Sequence, residues 1–423
     1  MLLLSTSAAE AEFADGWMAV HQGNYETAVA LWRELGRAGH VDVQFNLGVL
    51  YESGLLGEPD YEEAAAWYGY AAARGLPAAQ QRLGDFYAQG LGFEQDLSKA
   101  FDLYQSAAEQ GYGPAQFSLA VALEKGAGVP VDNDLASLWY HRAANQGMAA
   151  AQYNLGRTFV SGGSGNDPEQ ALYWYHQAAD GGLAEAQNNL GLMYERGIGV
   201  TQDYEQAVHW YALAADQGFA IAQNNLGVMY HFGRGVPHDP GRAAAAYHAA
   251  AIGGSEAGQI NLAYALANGI GLDQDIIEAY AWVLIARSGD DPDASATASE
   301  YRRRLLGVLT EDERRAGLER ATILRETLSV RPAHQTRRLA PLASDVLGND
   351  TAAIQRYLRE HNRLDGAVDG VSGPNTRKAI RDFQAEYGLP VTGTIDQVLL
   401  DAMARLLPMP WDPASSGLNR SGL

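Results

Sequence analysis

The 423-residue sequence contains no cysteine. Disulfide bonds, cysteine-ligated zinc sites and thiol nucleophiles are therefore excluded together. Long hydrophobic runs are missing as well, because no segment approaches the roughly 18 consecutive apolar residues that a membrane-spanning helix needs. We therefore expect no direct membrane insertion by this chain.

Basic residues are scarce in the first 299 residues. This part holds 12 Lys and Arg against 35 Asp and Glu, whereas the remaining residues hold 18 against 16. A strongly acidic surface repels phosphate backbones, so we expect no nucleic-acid partner for the long N-terminal part. Basic or neutral proteins fit this charge better.

The first nine residues have the composition of the end of an export signal. Three leucines are followed by small residues, among them Ser7 and Ala9, where a signal peptidase would cleave. The apolar part is shorter than the roughly 7–15 residues of a complete signal, and a basic segment is missing. We interpret residues 1–9 as the remnant of an export signal, and the alternative is a frayed terminus.

One position recurs every 36 residues, and once after 35, which indicates eight copies of a single structural unit. An alanine follows four residues after this position, and in four copies a Trp-Tyr pair comes next. This is helical spacing, and in the second copy it places Ala64, Tyr68 and Ala71 on one stripe of a first helix. The recurring marker residues are Asn24, Asp60, Asp96, Asp132, Asp167, Asp203, Asp239 and Asp275.

The marker residues and the glycines predict where the helices begin and end. We expect Asp60 to be a helix N-cap and Glu63 to complete a capping box with it. A glycine such as Gly75 then ends the first helix in a left-handed conformation. Gly-x-Gly turns, of which Gly197 and Gly199 are one example, close each unit.

A second helix in each unit carries a glutamine that is followed three residues later by leucine. In five units a glycine comes next, inside the helix, where it costs about 1 kcal/mol relative to alanine. A cost that recurs in this way predicts a close crossing with another helix. The glutamines are Gln44, Gln80, Gln116, Gln152, Gln187, Gln223 and Gln259, and the glycines are Gly48, Gly84, Gly156, Gly191 and Gly227.

The repeating unit resembles the Sel1-like repeat, a relative of the tetratricopeptide repeat, over roughly residues 24–290. This resemblance implies an all-α fold, a right-handed α-solenoid of about eight helical hairpins over residues 10–290. It also implies an adaptor that binds a protein partner on the concave face of the solenoid. The clearest copy reads Asp203-Tyr204-x-x-Ala207-x-x-Trp210-Tyr211-x-x-Ala214-Ala215-x-x-Gly218, then Ala222-Gln223-x-x-Leu226-Gly227-x-x-Tyr230.

Asparagines that recur two residues after the glutamine could bind a partner or hold neighbouring repeats together. We take Asn154, Asn189 and Asn225 from this series, together with Tyr173 and His209 of first helices, as candidate partner-binding residues. Histidines also recur at one first-helix position, but neighbouring repeats lie about 10 Å apart, too far to share a metal ion. We therefore predict no metal site and no cofactor. These histidines are His141, His176 and His248.

After the repeats the pattern changes to an arginine-rich helical stretch over residues 291–327. We interpret it as a cap on the solenoid, and the alternative is a basic surface that contacts anionic lipid or nucleic acid. Residues 328–348 contain Pro332 and Pro341 and are interpreted as a linker. Residues 409–423 are expected to form a flexible tail.

Residues 349–408 are similar to the small three-helix peptidoglycan-binding domain that is found attached to cell-wall enzymes. Ile380 and Phe383 belong to its expected core. Asn362-Arg363-Leu364 replaces the usual Gly-aromatic-aromatic turn, which removes aromatic rings that could stack on sugar. The motifs are Ile354-Gln355-x-x-Leu358, Val368-Asp369-Gly370-x-x-Gly373-x-x-Thr376 and Ala379-Ile380-x-x-Phe383-Gln384. The resemblance makes Arg363, Asp369, Gly370, Gly373, Thr376 and Gln384 candidate peptidoglycan-binding residues.

The sequence contains no metalloprotease, phosphate-binding or nucleophile-elbow motif. The two resemblances together predict a non-enzymatic scaffold in the periplasm of a Gram-negative cell envelope. The same pairing of modules occurs in certain bacterial cell-pole organising factors. One alternative is a peptidoglycan-active or β-lactam-binding enzyme, because peptidoglycan-binding domains usually accompany hydrolases. The other is an envelope sensor that regulates a membrane signalling protein.

Overall fold

The computed structural model describes residues 6–161, 167–286 and 292–330, together with Lys378, Ile380 and Arg381. Within these residues the chain forms eighteen α-helices and no strand. The helices are α1 (Thr6–His21), α2 (Tyr25–Ala38), α3 (Val41–Glu52), α4 (Tyr61–Ala72), α5 (Pro77–Gln89), α6 (Leu97–Glu109), α7 (Gly113–Lys125), α8 (Asn133–Ala144), α9 (Ala149–Ser161), α10 (Pro168–Asp180), α11 (Ala184–Arg196), α12 (Tyr204–Asp216), α13 (Ala220–Phe232), α14 (Pro240–Ile252), α15 (Glu256–Asn268), α16 (Ile276–Ala286), α17 (Pro292–Leu306) and α18 (Glu311–Val330).

The helices divide into two compact units, and the division falls inside α9, after Gln152. In the first unit, consecutive helices from α1 to α8 pack against each other, and in the second unit the same holds from α10 to α16. The even-numbered helices α2 to α16 contain the recurring alanine, four of them also contain the Trp-Tyr pair, and they are the first helices. The odd-numbered helices α3 to α15 contain the glutamine and are the second helices.

The marker aspartates begin the first helices, as predicted. The Asp60 carboxylate accepts a hydrogen bond from the backbone N–H of Glu63 at 3.0 Å, and Asp96, Asp132, Asp167, Asp203, Asp239 and Asp275 do the same in their units. Asn24, the marker of the outermost unit, makes no such bond.

The predicted capping box at Asp60 forms only in part. The backbone N–H of Asp60 donates to the carbonyl oxygen of Tyr51 at 2.8 Å, so it has a partner without Glu63. The Glu63 carboxylate accepts instead from the indole N–H of Trp67 at 3.1 Å, one helical turn further on. The prediction that Glu63 bonds back to the backbone N–H of Asp60 is therefore wrong. That N–H already has an acceptor, the carbonyl oxygen of Tyr51 in α3.

The glycines inside the second helices make room for a tyrosine ring, which confirms the predicted close crossing. A Cβ atom added to Gly48 would lie 2.6 Å from the ring of Tyr68, and one added to Gly191 would lie 2.5 Å from the ring of Tyr211. Both tyrosines are fully buried. The cost of glycine in a helix is thus offset by dense packing of a large side chain.

The recurring glutamine of each second helix has a structural role. Its side-chain amide donates to a backbone carbonyl oxygen eight residues earlier, in the last turn of the preceding first helix. Each of these carbonyl oxygens also accepts from the backbone N–H of the turn glycine three residues later, so the glutamine adds a second bond that ties the two helices of the hairpin together. The bonds run from Gln44, Gln80, Gln116, Gln152, Gln187, Gln223 and Gln259, with lengths between 2.7 and 3.4 Å.

Helices α17 and α18 cover the end of the second unit by packing against α16. Their buried residues Leu305 and Leu324 join Tyr280 in one apolar cluster. Arg320 donates two hydrogen bonds to Glu278 at 2.6 and 3.1 Å, and Arg325 donates to the carbonyl oxygen of Leu284. Two arginines of the basic stretch are therefore used to hold α18 on the solenoid.

No helix among the described residues has the length and apolar character needed to cross a membrane. The C-terminal region contributes three described residues. Of these, Ile380 is completely buried, as expected for a core position of the small domain.

Candidate functional site

The five candidate partner-binding residues lie on two different layers of the second unit. Tyr173 of α10 is 52% exposed, whereas Tyr175, two residues later, is buried. Residues two apart point to opposite sides of a helix. Because the ring of Tyr175 packs on Gly156 of α9, Tyr173 points away from the second helices. His209 of α12 occupies the equivalent exposed position.

The asparagines belong to the second-helix layer, where they bond to the protein itself. Asn225 donates its side-chain N–H to the side-chain oxygen of Asn188 at 3.0 Å, and Asn261 donates to Asn224 at 2.8 Å. Each bond joins neighbouring repeats. Arg157 donates to the side-chain oxygen of Asn154 at 3.0 Å within α9. The structure thus separates the asparagines from Tyr173 and His209, and it gives Asn225 a role between repeats.

A compact ionic network joins two repeats of the first unit. Arg82 bonds to Glu52 and lies 3.6 Å from a carboxylate oxygen of Asp85. Tyr68 donates its hydroxyl proton to Glu52 at 2.6 Å, and Tyr104 donates to Asp85 at 2.8 Å. The two carboxylates are 12% and 20% exposed, and both are fully engaged with neighbouring donors.

The same network fixes the protonation of its tyrosines. Burial, followed by the negative charge of Glu52, raises the pKa of Tyr68 well above its ordinary value. Burial and the charge of Asp85 raise the pKa of Tyr104 in the same way. Both phenols therefore stay neutral and act as hydrogen-bond donors. The two carboxylates share Arg82, and each also accepts from one tyrosine, so the network holds the helices of the two repeats together.

Histidine and aromatic side chains meet between repeats of the second unit. The Nε2 atom of His176 lies 3.1 Å from the hydroxyl of Tyr194, and its ring packs on the edge of Trp210. Burial lowers the pKa of His176, which favours the neutral ring. Among the described residues, no group of three or more histidines and carboxylates is placed to hold a metal ion.

The family comparisons assign the repeats. Seven segments match the Sel1 repeat model, and together they cover more than half of the chain. The chain belongs to the Sel1 repeat family. The matched segments are residues 41–76, 77–112, 113–148, 149–183, 184–219, 220–255 and 257–291. Each begins on a second helix, so α2 precedes the first matched unit and the seventh ends after α16. The eight predicted hairpins and the seven Sel1 units therefore use nearly the same helices, but a predicted hairpin begins with a first helix and a Sel1 unit begins with a second helix.

Solved Sel1-type structures show the same architecture, which confirms the predicted α-solenoid. The chain is similar to a protective antigen of uropathogenic Escherichia coli with an SLR fold, at 29% identity and a TM-score of 0.70, over 79% of this chain and 73% of the antigen. It is also similar to a Sel1 repeat protein of Oxalobacter formigenes, at 34% identity and a TM-score of 0.57, over 69% of this chain and 87% of that protein.

The C-terminal comparison agrees with the small domain expected there. Residues 348–403 match the model of a peptidoglycan binding domain.

A stretch of 124 residues is 34% identical to the localization factor PodJL of Caulobacter vibrioides, and it covers 29% of this chain but only 12% of that protein. The Sel1 repeats indicate a scaffold for protein interaction, and the C-terminal match indicates peptidoglycan binding and association with the cell envelope.

The candidate peptidoglycan-binding residues lie outside the described part of the chain. Their assignment stays a prediction from the sequence. These residues are Arg363, Asp369, Gly370, Gly373, Thr376 and Gln384.

Sequence reasoning missed an exposed aromatic surface on the second helices of the Sel1 array. Phe232 and Tyr264 are 60% and 45% exposed, and neither occupies one of the positions that repeat from unit to unit. The signal in the sequence was a large aromatic residue at a position that is not aromatic in the other units. Such a residue could have pointed to this surface.

Proposed function

We propose that this protein is a non-enzymatic adaptor of the periplasm in a Gram-negative cell envelope. Its C-terminal domain holds peptidoglycan, and its Sel1 solenoid binds a second protein and keeps it near the cell wall. The observation that carries this proposal is the presence of seven Sel1 repeats and one peptidoglycan-binding match in a single chain. Peptidoglycan lies in the periplasm of such cells, which supports that location.

The resemblance to PodJL supports the same proposal, since that relative is a localization factor. An adaptor that is attached to the wall can position its partner in the cell without catalysing a reaction. Within the described residues, the carboxylate pair Glu52 and Asp85 is bound to Arg82 and two tyrosines, and this arrangement favours a structural role over acid–base chemistry.

Co-sedimentation with purified sacculi tests the anchoring step. The full chain should sediment with sacculi, whereas a chain that ends at Val330 should stay in the supernatant. The turn that contains Arg363 lacks aromatic rings that could stack on sugar, so we expect weak binding to sacculi, with a dissociation constant of roughly 100 µM. Arg363→Ala should weaken this binding further. If the full chain is folded and stays in solution with sacculi from several bacteria, the C-terminal domain does not anchor it.

Crosslinking in the native envelope tests the adaptor step. A photoreactive residue replaces Tyr173 in one variant and Asn225 in another, which probes the two layers of the second unit separately. Specific capture of one protein from either position supports the adaptor role, and the more productive position identifies the layer that binds the partner. Absence of any specific adduct from both layers argues against it.

Digestion of sacculi distinguishes the adaptor from a wall-active enzyme. The full chain should release no soluble muropeptides. Release that disappears when one solenoid carboxylate is replaced by its amide would show that the protein is an enzyme and that the adaptor proposal is wrong.

A further inference from the structure

A half-buried histidine lies where two neighbouring repeats of the second unit meet. His176 belongs to α10, and its Nε2 atom lies 3.1 Å from the hydroxyl oxygen of Tyr194 in α11. Its ring centroid is 5.4 Å from that of Trp210 in α12, the first helix of the next repeat. One side chain therefore connects three successive helices.

The same position of a later repeat offers a natural comparison. His248 of α14, like His176, comes nine residues after the marker aspartate of its repeat, but its side chain is exposed. Leu266 occupies the place that Tyr194 has in the earlier repeat, so the bond to a hydroxyl group cannot form there. The contacts of His176 are thus a property of this junction and not of the repeat as such.

The surroundings of His176 suit a neutral ring better than a charged one. Trp210 is only 8% exposed, and its indole N–H is a donor that offers no acceptor. An imidazolium ion has two N–H donors, of which the Tyr194 hydroxyl can satisfy one. A charge at this place would also lose hydration, because the indole ring is apolar. The contacts of the neutral ring therefore oppose protonation of His176.

The titratable groups around His176 come from all three helices. Asp180 is on the same helix, Tyr194 is on α11, and His209 of α12 packs on the same indole ring with a centroid distance of 5.2 Å. Burial lowers the pKa of His176, and the charge of Asp180 opposes this effect. Burial and the charge of Asp203 raise the pKa of Tyr194, so its phenol stays protonated. His176 is therefore the group whose charge changes within this contact when the pH falls below neutral.

The charged ring has a better partner on its own helix. Asp180 is the last residue of α10, four residues after His176, and it is exposed. Residues four apart lie on the same face of a helix, where opposite charges attract. A cation is also stabilised at the C-terminal end of a helix. His176 thus has two environments, one between helices for the neutral ring and one beside Asp180 for the imidazolium.

We propose that His176 is an acid-sensitive connection between two repeats of the second unit. The neutral ring packs on Trp210, bonds to Tyr194 and holds α12 against α10 and α11. The protonated ring turns to Asp180 and to solvent, and this releases α12. Because a solenoid is shaped by the small rotation from each repeat to the next, a released junction changes the distance between α10 and α12.

Urea denaturation at pH 7.5 and pH 5.0 tests the effect of protonation on stability. In wild type, the contribution of the neutral ring is complete above pH 6.5, the ordinary pKa of histidine, and is lost as the pH falls, because the unfolded chain takes up the proton first. His176→Phe keeps a ring beside Trp210 and cannot be protonated. Wild type should therefore lose more stability than His176→Phe, by about threefold in the folding equilibrium constant for each half unit by which the fold lowers the pKa.

Two further variants keep this comparison decisive. His176→Gln cannot be protonated either and retains a polar group for Tyr194, so it should behave like His176→Phe. His248→Gln removes the exposed histidine of the equivalent position and should follow wild type. Equal pH profiles of wild type and both His176 variants would overturn the proposal. So would a wild type that gains stability in acid relative to them, since the imidazolium would then bind the Trp210 ring as a cation.

Distance measurement between spin labels tests the release of α12. The chain contains no cysteine, so labels attach only at introduced sites, and Gln177→Cys and Leu213→Cys place them on exposed positions of α10 and α12. The distance between the labels, measured by double electron–electron resonance, should shift or broaden at pH 5.0 in the chain with His176 and stay unchanged with His176→Phe. A label pair at Leu213 and Ala249 spans the next junction, where Ala212 occupies the histidine position, and should not respond to pH. A response of both pairs, or of neither, contradicts a connection at His176.

Discussion

At the scale of single residues, the repeat depends on positions where no larger side chain fits. The rings of Tyr68, Tyr104, Tyr175, Tyr211 and Tyr247 each lie against a glycine of a neighbouring second helix. Gly69 of α4 differs, because a Cβ atom added there would meet nothing within 4 Å. The same chain therefore offers two kinds of helical glycine for comparison. Packing requires glycine at one kind of position and does not require it at the other.

Alanine substitution should have opposite effects at these two kinds of glycine. Gly191→Ala places a methyl group 2.5 Å from the Tyr211 ring and should lower the free energy of unfolding by about 1–3 kcal/mol. Gly69→Ala meets nothing within 4 Å and should raise it by up to about 1 kcal/mol, because alanine favours a helix. Urea titrations followed by circular dichroism measure both. Equal effects would mean that the tyrosine contact does not select glycine.

Buried tyrosines predict a loss of stability in alkali. Burial raises the pKa of Tyr175 and of Tyr247 from 10.0 to about 12. Below pH 10 these tyrosines are protonated in both the folded and the unfolded chain, and their contribution to the free energy of unfolding is complete. As the pH rises toward 12, the tyrosines of the unfolded chain ionise first, and this contribution is lost. The loss is on the order of 2 kcal/mol for each tyrosine.

Urea midpoints between pH 9 and pH 12, with tyrosinate absorbance as the second signal, test this dependence. Tyr247→Phe should reduce the alkaline loss, because its buried ring can no longer ionise. Tyr173→Phe removes an exposed phenol and serves as the control. An alkaline profile that is the same in wild type and Tyr247→Phe would exclude this tyrosine as a cause.

At the scale of helices, neighbouring repeats are held together by two kinds of polar connection, one ionic and one between neutral amides. In the first unit Arg82 reaches from α5 to Glu52 of α3, and both side chains are mostly buried. An example of the second kind is the amide pair of Asn188 with Asn225 in the second unit. Removing one partner of a buried ion pair is costly, because the other partner stays buried with an uncompensated charge. Removing one partner of an amide pair costs only a neutral hydrogen bond.

Removal of the arginine should therefore be far more damaging than removal of a surface arginine. Arg82→Ala leaves Glu52 and Asp85 without their cation and should cost about 3–5 kcal/mol of unfolding free energy. Arg37 pairs with Glu34 on the surface, with both side chains more than 60% exposed, and Arg37→Ala should cost less than about 1 kcal/mol. Chemical denaturation compares them, and similar losses would show that the buried network adds nothing.

At the scale of the whole molecule, a stack of repeats should tolerate the loss of one complete unit, because each repeat contacts only its neighbours. Deletion of residues 96–131 removes α6 and α7, of 13 residues each, and joins Gln95 to Asp132. Tyr140 then takes the place of Tyr104 beside Gly84. The shortened chain should lose the helix content of the two deleted helices and no more.

A deletion that breaks the repeat is the control for this experiment. Removal of residues 96–113 takes out α6 and leaves α7 without its partner helix. This chain should lose much more helix content than the deleted share and should aggregate, since an apolar helix face remains uncovered. Circular dichroism and size-exclusion chromatography measure both chains. Equal behaviour of the two deletions would argue against a stack of independent repeats.

The sequence by itself determined the architecture. The 36-residue spacing, the aspartate N-caps and the glycine turns act over a few residues or between adjacent units, so their physical effect can be read from the order of residues alone. The same is true of the close crossing at Gly48 and its counterparts, because a recurrent helix glycine has a local cost that only tight packing offsets.

Only the tertiary structure decided which polar and aromatic side chains meet. Arg82 and Glu52 are 30 residues apart in sequence, and Asn188 and Asn225 are 37 apart. The periodicity places such residues in neighbouring repeats, but hydrogen bonding requires their atoms to approach within about 3 Å. That distance depends on the angle between packed helices. For the same reason, the separation of Tyr173 from Asn225 and the ring contacts of Tyr264 with His231 and Tyr301 became visible only in the folded chain.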